Sequence, residues 1–93
     1  MVKTIHDFNF FELFPRYDTR KSFYGKAHVI ERGADMYLKS YDTIVCGIVG
    51  GKFRRFWGGW SATTGRHINE FARQFAGRTV NKAQWDAMPV EMH

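Results

Sequence analysis

The sequence has little cysteine, proline or leucine, with one, two and two residues respectively among 93. Because Cys46 stands alone, an intramolecular disulfide and a zinc site built on paired cysteines are excluded. The apolar stretch Ile44–Val49 is far shorter than the roughly 20 residues that a membrane-spanning helix needs, so we expect no membrane partner. The first residues carry no signal-peptide pattern, and we therefore expect a cytoplasmic protein.

Aromatic residues are plentiful, with nine phenylalanines, four tyrosines and three tryptophans. Aromatic and β-branched side chains fit a pleated sheet better than a helix bundle, so we expect sheet to dominate the core. The length allows one domain, residues 1–93, and leaves no room for separate cofactor and substrate domains.

Changes in the hydrophobic period predict an α+β fold: an antiparallel four-stranded meander packed against one main helix, with a short C-terminal helix. Residues 1–21 are predicted to form an N-terminal arm whose phenylalanines pack onto the core. The spacing of the arm's apolar residues, which begin at Ile5, fits a helix or a strand. The predicted sheet covers residues 22–57, with strands over 22–30, 36–41, 43–49 and 52–57, and the predicted helices cover residues 61–77 and 80–88.

Two local patterns carry this fold prediction. Gly50 and Gly51 lie between apolar runs, as in the two-residue hairpin loops that need positive φ. An apolar stripe at helical spacing follows, and Gly77 fits the position just after its last turn. The stripe consists of Ile68, Phe71, Ala72 and Phe75.

Positive charge is concentrated in the last part of the chain. Residues 52–93 carry seven lysines and arginines but only three acids, which accounts for four of the five net charges. Such asymmetry predicts an anionic partner for one part of the surface. The alternative is a solvated basic face that keeps a small protein soluble.

The candidate binding surface combines arginines with tryptophans. Along the predicted strand 52–57, alternation places Arg54 on one face and Arg55 with Trp57 on the other. Arg66 and Arg73 are seven residues apart and therefore share one side of the predicted helix. Arginine and aromatic side chains near a helix N-terminus can bind phosphate, stack on bases or anchor a protein partner. The predicted partner- or nucleic-acid-binding residues are Arg54, Arg55, Trp57, Trp60, Arg66 and Arg73.

These residues also have a structural interpretation. Arg66 precedes Glu70 by four residues and can pair with it on a solvated helix face. Phe56 and one of the tryptophans can simply complete a small core. The sequence leaves both interpretations open.

Catalytic and metal-binding arrangements are weak. A nucleophile pair of Cys46 with His28 or His67 is disfavoured, because Cys46 lies in the most apolar stretch, where free cysteine is usually a small buried hydrophobe. The histidines lack the spacing that places two rings on one ion. Paired carboxylates do not form a local motif. We therefore predict no enzymatic activity, no catalytic residue, no metal and no cofactor.

Three blocks stand out together: Ser22–Ala27 (SFYGKA), Ser40–Thr43 (SYDT) and Trp60–Phe71, which contains TTGRHINEF. Over about residues 16–76 the chain resembles a small uncharacterised domain family of phage and mobile-element proteins of Gram-positive bacteria, whose members carry such blocks in this order. The resemblance implies a phage-encoded accessory protein that acts in the host bacterial cytoplasm. Small proteins of that class often bind and block host defence machinery, CRISPR nucleases included.

We therefore hypothesise an accessory protein that binds a host protein or ribonucleoprotein and inhibits a defence nuclease, such as a CRISPR effector, by occlusion. DNA mimicry is an improbable route, because the net charge is positive. The alternative is a direct DNA- or RNA-binding module that uses the basic and aromatic surface. A third option is a homodimer formed through an open edge at strand 22–30 or 52–57.

Overall fold

The computed structural model describes residues 8–93 and contains one antiparallel sheet and two helices. The elements are β1 (Phe8–Glu12), β2 (Ala27–Arg32), β3 (Asp35–Ser40), β4 (Thr43–Val49), β5 (Lys52–Arg55), α1 (Ala62–Phe75) and α2 (Lys82–Ala87). Each strand pairs with its neighbour in sequence, so the sheet is a five-stranded meander. The predicted α+β class, with one main helix and one short C-terminal helix, is confirmed, and the predicted count of four strands is wrong.

The additional strand, β1, comes from the predicted N-terminal arm. It pairs with β2, placing Phe10 opposite Ile30 and Phe11 opposite Val29. Phe10 and Phe11 remain largely outside the core, since they are 50% and 38% exposed. Leu13, just after the strand, is the buried residue of this region. The start of the arm, including Ile5, lies outside the described residues.

The strand predicted over residues 22–30 begins only at Ala27. Tyr24 and Gly25 have φ values of 55° and 72°, which interrupt an extended chain. β2 then lies between β1 and β3, so it is an interior strand rather than an edge. The homodimer edge predicted at residues 22–30 is therefore wrong.

The glycine hairpin is confirmed. Gly50 and Gly51 connect β4 to β5 with φ values of 62° and 78°. The β3–β4 connection is a second two-residue loop, because Ser40 pairs with Thr43. In that loop Tyr41 has a φ of 55°, which is unusual for a residue other than glycine.

The helical stripe is buried against the sheet. Ile68, Phe71 and Ala72 are fully buried, whereas Phe75 at the end of α1 is 37% exposed. Ser61 caps the helix by accepting the backbone N–H of Thr64. The second helix, α2, buries Trp85, whose indole N–H donates to the Gly59 carbonyl oxygen at 2.8 Å.

Alternation divides the sheet into a covered and an open face. Val29, Leu38, Cys46 and Arg55 form one row across β2–β5, and all four side chains are buried on the face that packs against α1. Burial raises the pKa of the Cys46 thiol, which disfavours a reactive thiolate. No helix within residues 8–93 is long and apolar enough to cross a membrane.

Candidate binding site

Arg55, one of the predicted binding residues, is a buried structural residue with 7% of its surface exposed. Its guanidinium donates to the carbonyl oxygens of Trp57, Gly58, Trp85 and Met88 at 2.8–3.0 Å. It also lies over the Trp85 ring, 5.0 Å from the centroid. These contacts join β5 to α2 and leave little of the side chain for a partner.

Arg54, Trp57 and Trp60 do not form one exposed surface with Arg66 and Arg73. Arg54 lies on the open sheet face and forms an ion pair with Glu91 at 2.9 Å. Trp57 and Trp60 are half-buried and pack against the core. Trp60 covers Gly65 in the first turn of α1, where an added Cβ would lie 2.6 Å from the indole ring.

Arg66 and Arg73 lie beside residues 16–18, a segment for which the sequence predicted no binding role. The Arg66 guanidinium donates to both Asp18 carboxylate oxygens at 3.2 Å. The backbone amide of Arg20 and the Arg66 side chain hold the pKa of Asp18 below its usual value, against the opposing effect of burial. Arg73 lies over the ring of Tyr17 at 4.7 Å. The predicted Arg66–Glu70 pair is wrong.

Glu70 instead anchors this segment from beneath. Its side chain is 2% exposed and accepts the backbone N–H groups of Arg16, Tyr17 and Asp18 at 2.8–3.0 Å. Gln74 donates to it at 2.6 Å. A buried carboxylate requires such donors, because leaving it unpaired costs several kcal/mol. The carboxylate therefore fixes residues 16–18 along α1.

This arrangement creates a basic channel along the exposed side of α1. Three adjoining depressions share Arg66 or Tyr17 in their walls and continue past the end of the helix. Five cations line them, against Asp18 and the buried Glu70. Three exposed tyrosines line the same path and are 49–74% exposed. We define the basic channel as Tyr17, Arg20, Tyr24, Lys26, Tyr41, Arg66, Arg73 and Arg78.

A buried polar group lies at the end of this channel next to the α1 N-terminus. His67 is 1% exposed, and its Nδ1 lies 2.8 Å from the Ser40 hydroxyl, which also contacts the Thr64 hydroxyl at 3.1 Å. Desolvation lowers the pKa of His67 to about 4, with Asp18 opposing and Arg20 adding to the shift. The imidazole is therefore neutral near pH 7.

Sequence reasoning identified two of the channel's members, Arg66 and Arg73. It missed Arg20 and Lys26, which precede the strongly basic part of the chain, and Arg78, which follows the predicted helix 61–77. One available signal was Tyr24 beside Gly25, an aromatic residue in a turn. The other was the block Ser22–Ala27, which proves to contribute four of the residues around the end of the channel.

Comparisons with known proteins identify a family without identifying an activity. No curated protein matches the chain, and no solved structure matches it. Residues 11–87 match the family described as a family of unknown function, DUF8033. That region extends from β1 to the end of α2, so it contains the whole basic channel. The chain therefore belongs to the DUF8033 family of unknown function.

Proposed function

We propose that this protein acts by binding rather than by catalysis, and that its basic channel binds single-stranded nucleic acid. The observation that carries the proposal is the coincidence of five cations and three exposed tyrosines along one helix. Cations along a groove follow a phosphate backbone, and exposed aromatic rings stack on unpaired bases.

The size of the channel fits a short strand. α1 has 14 residues, which at 1.5 Å per residue give a length of about 20 Å. The two acids nearby, Asp18 and Glu70, leave three positive charges in excess, because five cations line the channel. The unpaired bases of a single strand can reach the tyrosines, whereas those of a duplex are stacked inside it.

Fluorescence anisotropy with a labelled oligothymidylate tests this proposal. If three cations contact phosphates, the slope of log affinity against log salt is about −2, and binding weakens about 20-fold between 50 and 200 mM salt. The double variant Arg73→Gln/Arg78→Gln should bind more weakly and have a slope smaller by about 1.4. Arg32→Gln is the matched control, since Arg32 is exposed on the open sheet face. Absence of binding at 50 mM salt would refute the proposal.

The second candidate is the accessory protein implied by the sequence blocks: a phage protein in the host cytoplasm that occludes a defence nuclease, such as a CRISPR ribonucleoprotein. A depression that includes Tyr17 and three exposed phenylalanines favours a protein partner. Phe11, Phe14 and Phe75 line it and are 37–56% exposed, and its volume is about 580 Å³. Exposed aromatic clusters of this kind are typical of protein interfaces.

Affinity capture from host lysate separates the two candidates. A protein partner that stays bound after nuclease treatment, and is lost with Phe14→Ser, supports the accessory protein. Phe10→Ser is the control, because Phe10 is similarly exposed but lies on the other face of the sheet. Capture of nucleic acid with no protein partner, before any nuclease treatment, would contradict this second candidate and favour direct nucleic-acid binding.

A further inference from the structure

The end of the basic channel is a distinct cavity of about 260 Å³. Three cations converge on it: Arg20 and Lys26 from the connection before β2, and Arg66 from α1. The first turn of α1 contributes Thr63 and the positive end of the helix dipole. The remaining lining residues are Ser22, Phe23, Tyr24, Tyr41 and His67.

The charge around this cavity fits a dianion. Asp18 neutralises one of the three cations by pairing with Arg66 through a single guanidinium nitrogen. The other nitrogens of Arg66 keep their N–H groups available, and Arg20 and Lys26 add two further charges. Two positive charges therefore remain in excess. A phosphomonoester carries close to two negative charges at neutral pH, whereas an internal phosphodiester carries one.

A second observation, independent of the cations, points to a ligand in this cavity. His67 lines it, although the ring is 1% exposed, and Nε2 has no hydrogen-bond partner among residues 8–93. If Thr64 donates to Ser40 and Ser40 donates to Nδ1, the neutral ring carries its proton on Nε2. That N–H is then a donor available to a ligand oxygen in the cavity, which His67 lines.

We propose that this cavity binds a terminal phosphomonoester, supplied by the phosphorylated end of the strand in the basic channel. Arg20, Lys26 and Arg66 neutralise the phosphate, and the His67 Nε2–H donates to one of its oxygens. Tyr24 and Tyr41 are 74% and 49% exposed at the rim and provide rings for the adjoining base. The assignment of the phosphate to the end of a strand rests on the proposed function, because a free mononucleotide carries the same phosphomonoester group.

Isothermal titration calorimetry with each ligand separately distinguishes the outcomes. The ligands are thymidine decamers with a 5′-phosphate, a 3′-phosphate or hydroxyl groups at both ends, together with free thymidine monophosphate. We expect one phosphorylated decamer to bind at least tenfold more tightly than the hydroxyl-ended decamer. Equal affinity within twofold for all decamers refutes the cavity proposal and leaves the proposed function standing. Binding of the monophosphate but of no decamer supports the cavity and refutes the proposed function, and binding of neither refutes both.

Variants locate the effect in the cavity. Arg20→Gln and Lys26→Gln should each reduce the ratio of affinities for phosphorylated and hydroxyl-ended decamers to below threefold. Lys21→Gln is the matched control, because Lys21 is an exposed neighbour that does not line the cavity, and it should leave the ratio unchanged. In ¹⁵N spectra the His67 ring signals should shift with the phosphorylated decamer alone. A ratio that survives both cavity variants would overturn the assignment.

Discussion

Replacing Glu70 by glutamine should loosen the segment on which the binding site depends. In the native protein one carboxylate oxygen, Oε1, accepts the amides of Tyr17 and Asp18 at 3.0 Å. The other, Oε2, accepts the amide of Arg16 at 2.8 Å and the Gln74 side chain at 2.6 Å. A glutamine keeps one oxygen and turns an NH₂ group toward the other two donors.

The cost follows from the donors left unpaired. A donor without a partner in a buried site costs about 1–3 kcal/mol, and the two hydrogen bonds that remain lose the assistance of the charge. Gln74 cannot turn its amide to accept from the new NH₂ group without losing its bond to the Phe14 carbonyl oxygen at 2.8 Å. The Arg16 amide therefore stays unpaired, and Gln74 loses one of its two acceptors. We therefore expect the free energy of unfolding to fall by about 2–3 kcal/mol. For a domain of this size, that corresponds to a melting temperature lower by about 10–20 °C.

Urea unfolding followed by tryptophan fluorescence measures this loss, because Trp85 is fully buried. Asp86→Asn is the control, since Asp86 is exposed and paired only with Lys82 on α2, and its effect should stay within about 0.5 kcal/mol. Glu70→Gln should also weaken oligothymidylate binding, because residues 16–18 lead directly to Arg20. A loss below about 1 kcal/mol with unchanged affinity would refute the anchoring role of Glu70.

Three further predictions separate stability from binding. Arg55→Lys should lower the free energy of unfolding by about 3 kcal/mol or more, because a lysine cannot reach four carbonyl oxygens, while the salt dependence of binding stays as in the native protein. Tyr24→Gly should raise stability by up to about 1 kcal/mol in thermal unfolding, since glycine tolerates a φ of 55°, yet weaken binding of the phosphorylated decamer. Because the pKa of His67 is lowered to about 4 in the folded protein, the unfolded chain binds a proton at a higher pH than the folded protein does. The free energy of unfolding is therefore unaffected by His67 above pH 6.5 and decreases as the pH falls toward 4. Urea titrations across this range should show a loss of about 3 kcal/mol that is missing in His67→Gln.

Much of the fold follows from short-range patterns in the sequence. The pair Gly50–Gly51 predicts a hairpin and the stripe from Ile68 to Phe75 predicts a helix, and each conformation depends on residues close together in the chain. β1 does not, because its apolar spacing fits a helix as well as a strand, and its pairing with β2 is a long-range contact. The late start of β2 depends on a positive φ at Tyr24, which no local preference of tyrosine predicts.

The binding site was harder to predict, because charged residues look the same in a sequence whether the fold buries or exposes them. Arg54 and Arg55 are the densest basic pair after residue 51, yet one is paired with Glu91 and the other holds four carbonyl oxygens. Arg20 and Lys26 are scattered among acids, yet the fold brings them to the cavity. Arg20 follows the segment anchored by the buried carboxylate of Glu70, 50 residues away in sequence, whose spacing from Arg66 suggests a surface pair instead. Lys26 is held separately, because its carbonyl oxygen accepts the Tyr41 amide at 2.7 Å. The position of the exposed positive charge therefore depends on which arginines the interior uses, and the arginines of the basic channel are among those that stay exposed.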